Sequence, residues 1–233
     1  EDGQAQADLN RLMDGTFSNQ EAGMPEGTVH SELLRRPGKL YVLASHFHPD
    51  HFNKEVLQWR EQRPDIIYIF SKDILRHRRA QKEDAVWLKK GEEYKDETLS
   101  VRAFGSTDVG VSFLLQAGGK KIFHAGDLNN WHWMDESTEA EWKGAEKNFL
   151  HELDDLYAYT PEVDVAMFPV DPRLGKEYMR GAGQFVTKIK THIFVPMHFT
   201  PEYARANAFR DFAEAHGVRF VSLTHRGQKI EIE

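Results

Sequence analysis

The sequence predicts an α/β fold, and three observations carry that expectation. From Lys39 onward, short apolar or alternating runs recur, each bounded by turn residues, and segments of helical periodicity lie between them. The chain has 233 residues, 40% hydrophobic and 29% charged, which is enough to bury a substantial core and ordinary for a globular protein. No repeat, low-complexity tract or linker interrupts it, so residues 1–233 read as a single domain.

Taken in order, residues 1–38 are polar and carry turn signals such as "MDG" and "EAGMPEG". They form an atypical N-terminal segment without assignable regular structure. Strands are expected at 39–45, 65–71, 98–104, 110–116, 120–126, 163–169 and 192–198, with a last one at 219–223. Helices are expected at 53–62, from Ser71 to about Lys82, at 180–190 and at 201–216, the last closed by Gly217. Between Asp135 and Tyr157, the residues Trp142, Ala145, Phe149, Leu153 and Leu156 advance by three and four, which places one apolar stripe on a charged helix.

Several function classes are disfavoured by composition. A net charge of −7 argues against a broad nucleic-acid footprint, so nucleic acid is not the expected partner. The absence of cysteine excludes disulfide scaffolds, zinc–thiolate sites and thiol nucleophiles. No apolar run approaches a membrane span, and "EDGQAQADLN" lacks the pattern of a signal peptide, so a cytoplasmic location is the expectation.

The densest chemistry lies in "SHFHPDHF", residues 45–52. His46 and His48 follow the run "LYVLA", and an extended chain there would put both imidazoles on one side. Pro49 removes a backbone donor and favours a turn, which would bring Asp50 and His51 to the same point. Imidazole and carboxylate suit zinc, iron or manganese, and four such residues in six positions can serve two adjacent ions. A polar turn with capping histidines is the alternative, but a cluster this dense points to metal. Asp127 and His198 each end an apolar run, where ligands in α/β proteins commonly gather.

"HFHPDH" resembles the H-x-H-x-D-H signature of the metallo-β-lactamase superfamily, and the resemblance runs from about Leu40 to the C-terminus. It implies an αβ/βα four-layer sandwich, with two face-to-face sheets flanked by helices and the metals at one edge. It implies a bridging aspartate in "KKIFHAGDLN", carried by Asp127, and a last histidine in "IFVPMHF", carried by His198. Within the superfamily the chain looks most like the branch of ascorbate-6-phosphate lactonase and related hydrolases. Two departures stand out. The superfamily normally supplies a further histidine before the "GD", and here the region "RAFGSTDVGVSF" has none, so Asp108 occupies that place. A carboxylate ligand there would favour manganese or iron over zinc, whereas a vacated ligand position would leave the first site weak. The strand hairpin that normally precedes the first motif is not evident in residues 1–38.

The implied activity is hydrolysis by metal-activated hydroxide on a pair of divalent ions (Zn or Mn, with Fe as a third option), Asp50 orienting the hydroxide. The expected substrate is a small anionic lactone, ester or phosphoester; "MFPVDPRLG" either brings Asp171 and Arg173 to the cleft rim, where Arg173 is a candidate to bind that charge, or is a structural turn. A nucleic-acid phosphodiesterase or a catalytically weak metal-binding sensor or scaffold are the alternatives. His124 is expected to support Asp127, and His132 to lie at the surface between Trp131 and Trp133 or to swing toward the metals. The two tryptophans either wall a pocket or pack in the core. "LRHRRAQK" is expected to be a solvated basic face.

Overall fold

The computed structural model describes residues 28–29, 31–199 and 201–232, so most of the atypical N-terminal segment lies outside the described residues. A short helix, α1 (Ser31–Leu34), precedes a parallel sheet of β1 (Tyr41–Ala44), β2 (Ile67–Ser71) and β3 (Val86–Leu88), paired in the order β1-β2-β3. The second sheet contains β4 (Glu93–Lys95), β5 (Ser100–Phe104), β6 (Ser112–Ala117), β7 (Lys120–His124), β8 (Glu162–Pro169), β9 (Lys190–Met197) and β10 (Arg219–Phe220). Its order is β10-β9-β8-β7-β6-β5-β4, antiparallel from β4 to β7 and parallel from β7 to β10. Because β6 is antiparallel to both neighbours, β5 runs in the direction of β7, β8 and β9. The C-terminal ends of these four strands, and the loops that follow them, therefore gather at one end of the sheet.

Strand alternation builds the layers. Val101, Ala103, Phe113 and Leu115 face Tyr41, Leu43, Ile69 and Leu88 of the smaller sheet and form the core between the sheets. The next residues along, Phe104, Leu114, Phe123, Ala166 and Phe168, face the other way. They pack under α3 (Glu139–Tyr159) and α4 (Arg180–Lys188). Phe149, Leu153 and Leu156 of α3 are fully buried there, as the apolar stripe predicts, each stabilising by roughly 2 kcal/mol. On the far side of the small sheet, Tyr68 and Phe70 meet Phe52 and Ile74. Helices on both outer faces of two stacked sheets make the four layers expected of the αβ/βα sandwich.

Local differences from the expectation have local causes. The segment expected as a helix over 53–62 is 3-10 at Lys54–Glu61, capped by Asn53, and none of its residues is fully buried. Nothing there enforces a longer α-turn. The next helix, α2 (Lys72–Arg76), stops early because Arg78 is left-handed at φ 56°. The last expected helix is broken into α5 (Tyr203–Asn207) and α6 (Arg210–Ala215), with Ala206, Phe209 and Ala213 buried against the core. Helix α3 begins beyond Asp135 because Thr138 and Glu141 form a capping box. The strands β3 and β4 are three residues each, too short to show a period.

A charged hub ties α3 to α4 and to the loop after β7. Glu146 accepts from Arg180, from Gln184 Nε2 at 2.9 Å and from Asn130 Nδ2 at 2.9 Å. The Arg180 guanidinium, against the cost of burial and helped by Gln184 and Asn130, holds the Glu146 carboxyl at about 2, below its ordinary 4.5. A depressed carboxylate stabilises fully above its unfolded value and loses that contribution as the pH falls through its folded value. Glu146→Gln is therefore expected to cost about 1–3 kcal/mol at neutral pH. The gap to the parent should close as the pH falls from 4.5 toward 2, read as urea midpoints across that range.

Candidate metal centre

Strand β1 ends at Ala44, so His46 and His48 lie in the loop beyond it and not in an extended strand as the spacing predicts. Their rings still come together, with centroids 4.8 Å apart. The turn at Pro49 forms, with the N–H groups of His51 and Phe52 both donating to the His48 carbonyl at 3.0 and 2.8 Å. That turn folds His51 back over His46, with ring centroids 4.0 Å apart. The Asp73 carboxylate fixes the loop from below by accepting the Phe47 N–H at 3.0 Å.

Asp127 is the hub. Its Oδ2 lies 3.2 Å from His46 Nε2, and its Oδ1 lies 3.1 Å from His51 Nε2 and 3.3 Å from His198 Nε2. None of these approaches has hydrogen-bond alignment to the two buried atoms His46 Nε2 and Asp127 Oδ1, which are left without a partner. Buried polar atoms are usually paired, and these two sit among imidazole and carboxylate groups that could hold a cation. On the other side of His46, Nδ1 lies 3.0 Å from Ser45 Oγ, which fixes the ring so that Nε2 points toward Asp127.

Ligand atoms fall into two groups, each within 4.8 Å: His46, His48, Asp108 and Asp127 in one, Asp50, His51 and His198 in the other. Asp108, 45% exposed, brings Oδ2 to 3.7 Å from His48 Nδ1, and Asp50, 70% exposed, brings Oδ2 to 3.5 Å from His51 Nε2. The donor set of imidazoles and carboxylates fits divalent metal. All six residues expected to converge do so, and Asp108 joins them.

Burial opposes ionisation of Asp127, yet His198 and His46 hold its carboxyl far below the usual range. Burial lowers His51, with Asp127 working against it. Asp127 and Asp171 together raise His198 to about 9. The His198 backbone is left-handed at φ 62°, a strained conformation for a residue with a side chain, costing about 1–2 kcal/mol.

Two neighbouring positions, His132 and Asp171, differ from expectation. His132 is buried: its Nδ1 accepts the Met134 N–H at 3.1 Å and its Nε2 donates to the Glu177 carbonyl at 3.0 Å. With both nitrogens used, it neither lies at the surface nor turns toward the metals. Asp171 is not at the rim but 1% exposed beneath His198, accepting from His198 Nδ1 at 2.9 Å. The only sequence signal for it was its place at the end of β8, before Pro172. Arg173 does reach the rim, 64% exposed, paired to Asp171 and 3.4 Å from His198 Nδ1. His124 supports the "GD" turn, its Nδ1 accepting the Gly126 N–H at 3.1 Å. Trp131 donates Nε1–H to the Asp127 carbonyl at 2.8 Å, stands edge-on to His198, and with Trp133 packs against the main core.

Residues 28–199 match the family described as the beta-lactamase superfamily domain, and that span is most of the chain. The chain belongs to the metallo-β-lactamase superfamily. This superfamily member is similar to YhfI from Bacillus subtilis, a metallo-β-lactamase fold protein (12% identity, 81% of this chain, 76% of the other, TM-score 0.54). It is similar to Zn(2+)-bound PqqB from Methylobacterium extorquens (14% identity, 89% and 82%, TM-score 0.50). It is also similar to CmlA, a diiron β-hydroxylase from Streptomyces venezuelae (14% identity, 89% and 47%, TM-score 0.57). At these identities the likeness is one of fold. No curated protein sequence matches the superfamily member. Among the described residues, no helix is long and apolar enough to cross a membrane.

Proposed function

We propose that this protein is a metal-dependent hydrolase acting on a small anionic substrate, a lactone, ester or phosphoester. The observation that carries the proposal is the convergence of seven ligand-type side chains on two adjacent points, with buried His46 Nε2 and Asp127 Oδ1 unpartnered between them. In this reading His46, His48, Asp108 and Asp127 would hold one divalent ion, and Asp50, His51 and His198 would hold a second beside it. Bound there, divalent ions supply water activation near neutral pH and polarisation of the scissile carbonyl or phosphoryl group.

The chain's own residues divide the remaining work. Asp50, at the exposed edge of the second group, would orient the metal-activated water. Asp171 holds the His198 ring by its Nδ1, which keeps Nε2 directed inward. Arg173 is charged and exposed beside His198, and its guanidinium is placed to bind an anionic group of the substrate. Zinc, manganese and iron remain the candidate ions, and the carboxylate of Asp108 in place of an imidazole favours the harder two.

The test is a panel of anionic lactones, carboxylic esters, phosphomonoesters and phosphodiesters, run after chelation and with Zn²⁺, Mn²⁺ or Fe²⁺ restored. Activity should vanish on chelation and return with metal. Arg173→Ala should raise KM for the best anionic substrate about 10-fold or more while changing kcat little, since it removes a charge-assisted contact present in both ground and transition states. Full turnover in excess chelator, with metal shown to be gone, would require another mechanism.

A further inference from the structure

We infer that Thr107 is a positioning residue for the first metal site, the hydroxyl that fixes Asp108 relative to Asp127 before any ion binds. The inference rests on the proposed reading of Asp108 as a ligand. Asp108 itself is loosely held. It is 45% exposed, its own N–H reaches only Ser106 Oγ at 3.3 Å, and its carboxylate approaches His48 without bonding it. Left to itself, such a side chain on a loop would spend little time at the site, and chelation would have to order it.

Thr107 changes that. Its Oγ1 donates to the Asn129 carbonyl at 2.5 Å and accepts the Asn129 N–H at 3.0 Å, so one hydroxyl satisfies both backbone groups of one residue. Asn129 is two residues beyond Asp127, in a stretch where Leu128, Asn129 and Asn130 are all buried. The clamp therefore joins the loop bearing Asp108 to the rigid loop bearing Asp127, one residue from the first carboxylate and two from the second. The same loop is stitched at its other end to the third ligand-bearing segment. The Val111 N–H donates to the Ser45 carbonyl at 3.0 Å, next to His46. Within the loop, Ser112 Oγ closes onto the Gly105 carbonyl at 2.8 Å. Serine keeps the hydroxyl, whereas valine keeps the shape and removes both bonds.

The full chain, stripped of metal, is titrated with Mn²⁺ and separately with Zn²⁺ by calorimetry, and bound metal is counted after desalting. Thr107→Val and Asp108→Ala should each weaken one of two binding events by about 10- to 100-fold, as loss of a supporting contact commonly does, and leave the other event in place. Thr107→Ser should stay within about threefold of the parent. Thr107→Val that lowers thermal stability but binds both ions at parental affinity, while Asp108→Ala loses one, would leave Thr107 with a purely structural role and overturn the inference. Asp108→Ala that keeps both ions at full affinity would remove the ligand reading and the inference with it. Should Thr107→Val not fold, hydrogen exchange of the metal-free parent decides. The Asn129 amide should be protected well beyond loop amides exposed to solvent, and an unprotected amide would show that no clamp exists before metal binds.

Discussion

Asp127→Ala is expected to empty both metal positions and to lower hydrolysis by about 10³-fold or more, since it removes the carboxylate shared by the pair and with it several kcal/mol of catalysis. The reasoning is geometric. Three imidazoles, from His46, His51 and His198, lie within 3.1–3.3 Å of this one carboxylate, and two of them belong to the second ligand group. Without it, two cations held so close lose the negative charge between them, and their mutual repulsion is unscreened. Asp127→Asn keeps the shape but not the charge and should behave nearly as badly. Elemental analysis of the purified variants, with circular dichroism to show an intact fold, gives the answer. A folded Asp127→Ala chain that still carries two ions would separate the aspartate from the metals.

The largest expected effect on stability comes from a residue with no chemistry of its own. Gly110→Ala should destabilise the protein by about 3 kcal/mol or more, from a left-handed backbone and a clash with no relief. Gly110 has φ 75°, and a Cβ there would sit 2.0 Å from the Ser45 carbonyl oxygen and 2.5 Å from His46 Cβ. The obstacle is backbone, not the tip of a flexible side chain, so either the loop of Asp108 or the segment of His46 must move. The midpoint of chemical denaturation should fall accordingly, and residual folded protein should bind metal less tightly. An unchanged midpoint would mean that the two segments are not packed as described.

Much of this centre was legible in the sequence because its densest part is contiguous. Four ligand-type residues between His46 and His51 need only a turn to converge, and Pro49 announces the turn. Asp127 and His198 were legible as residues ending apolar runs, since parallel strands deliver their C-terminal ends to one place. His132 is buried against expectation because its partners, the Glu177 carbonyl and the Met134 N–H, are backbone groups that no residue pattern exposes. Asp171 lies beneath His198 in a capped turn and not at the rim, because burial at a strand end depends on what packs above it. Helix 53–62 became 3-10 for a similar reason: periodicity records which residues are apolar, not whether a surface exists to receive them. The clamp of Thr107 had no signal at all, since a threonine in "GSTDVG" reads as an ordinary turn residue until Asn129 is seen beside it.

The central claim is that this fold assembles two adjacent metal positions from these residues, and a crystal structure of metal-loaded protein with anomalous data at the zinc, manganese and iron edges tests it most directly. Two anomalous peaks per chain are expected, one within bonding distance of His46, His48, Asp108 and Asp127, the other of Asp50, His51 and His198, with Asp127 touching both. A single peak, or peaks elsewhere on the molecule with these side chains paired only to one another, would contradict the account.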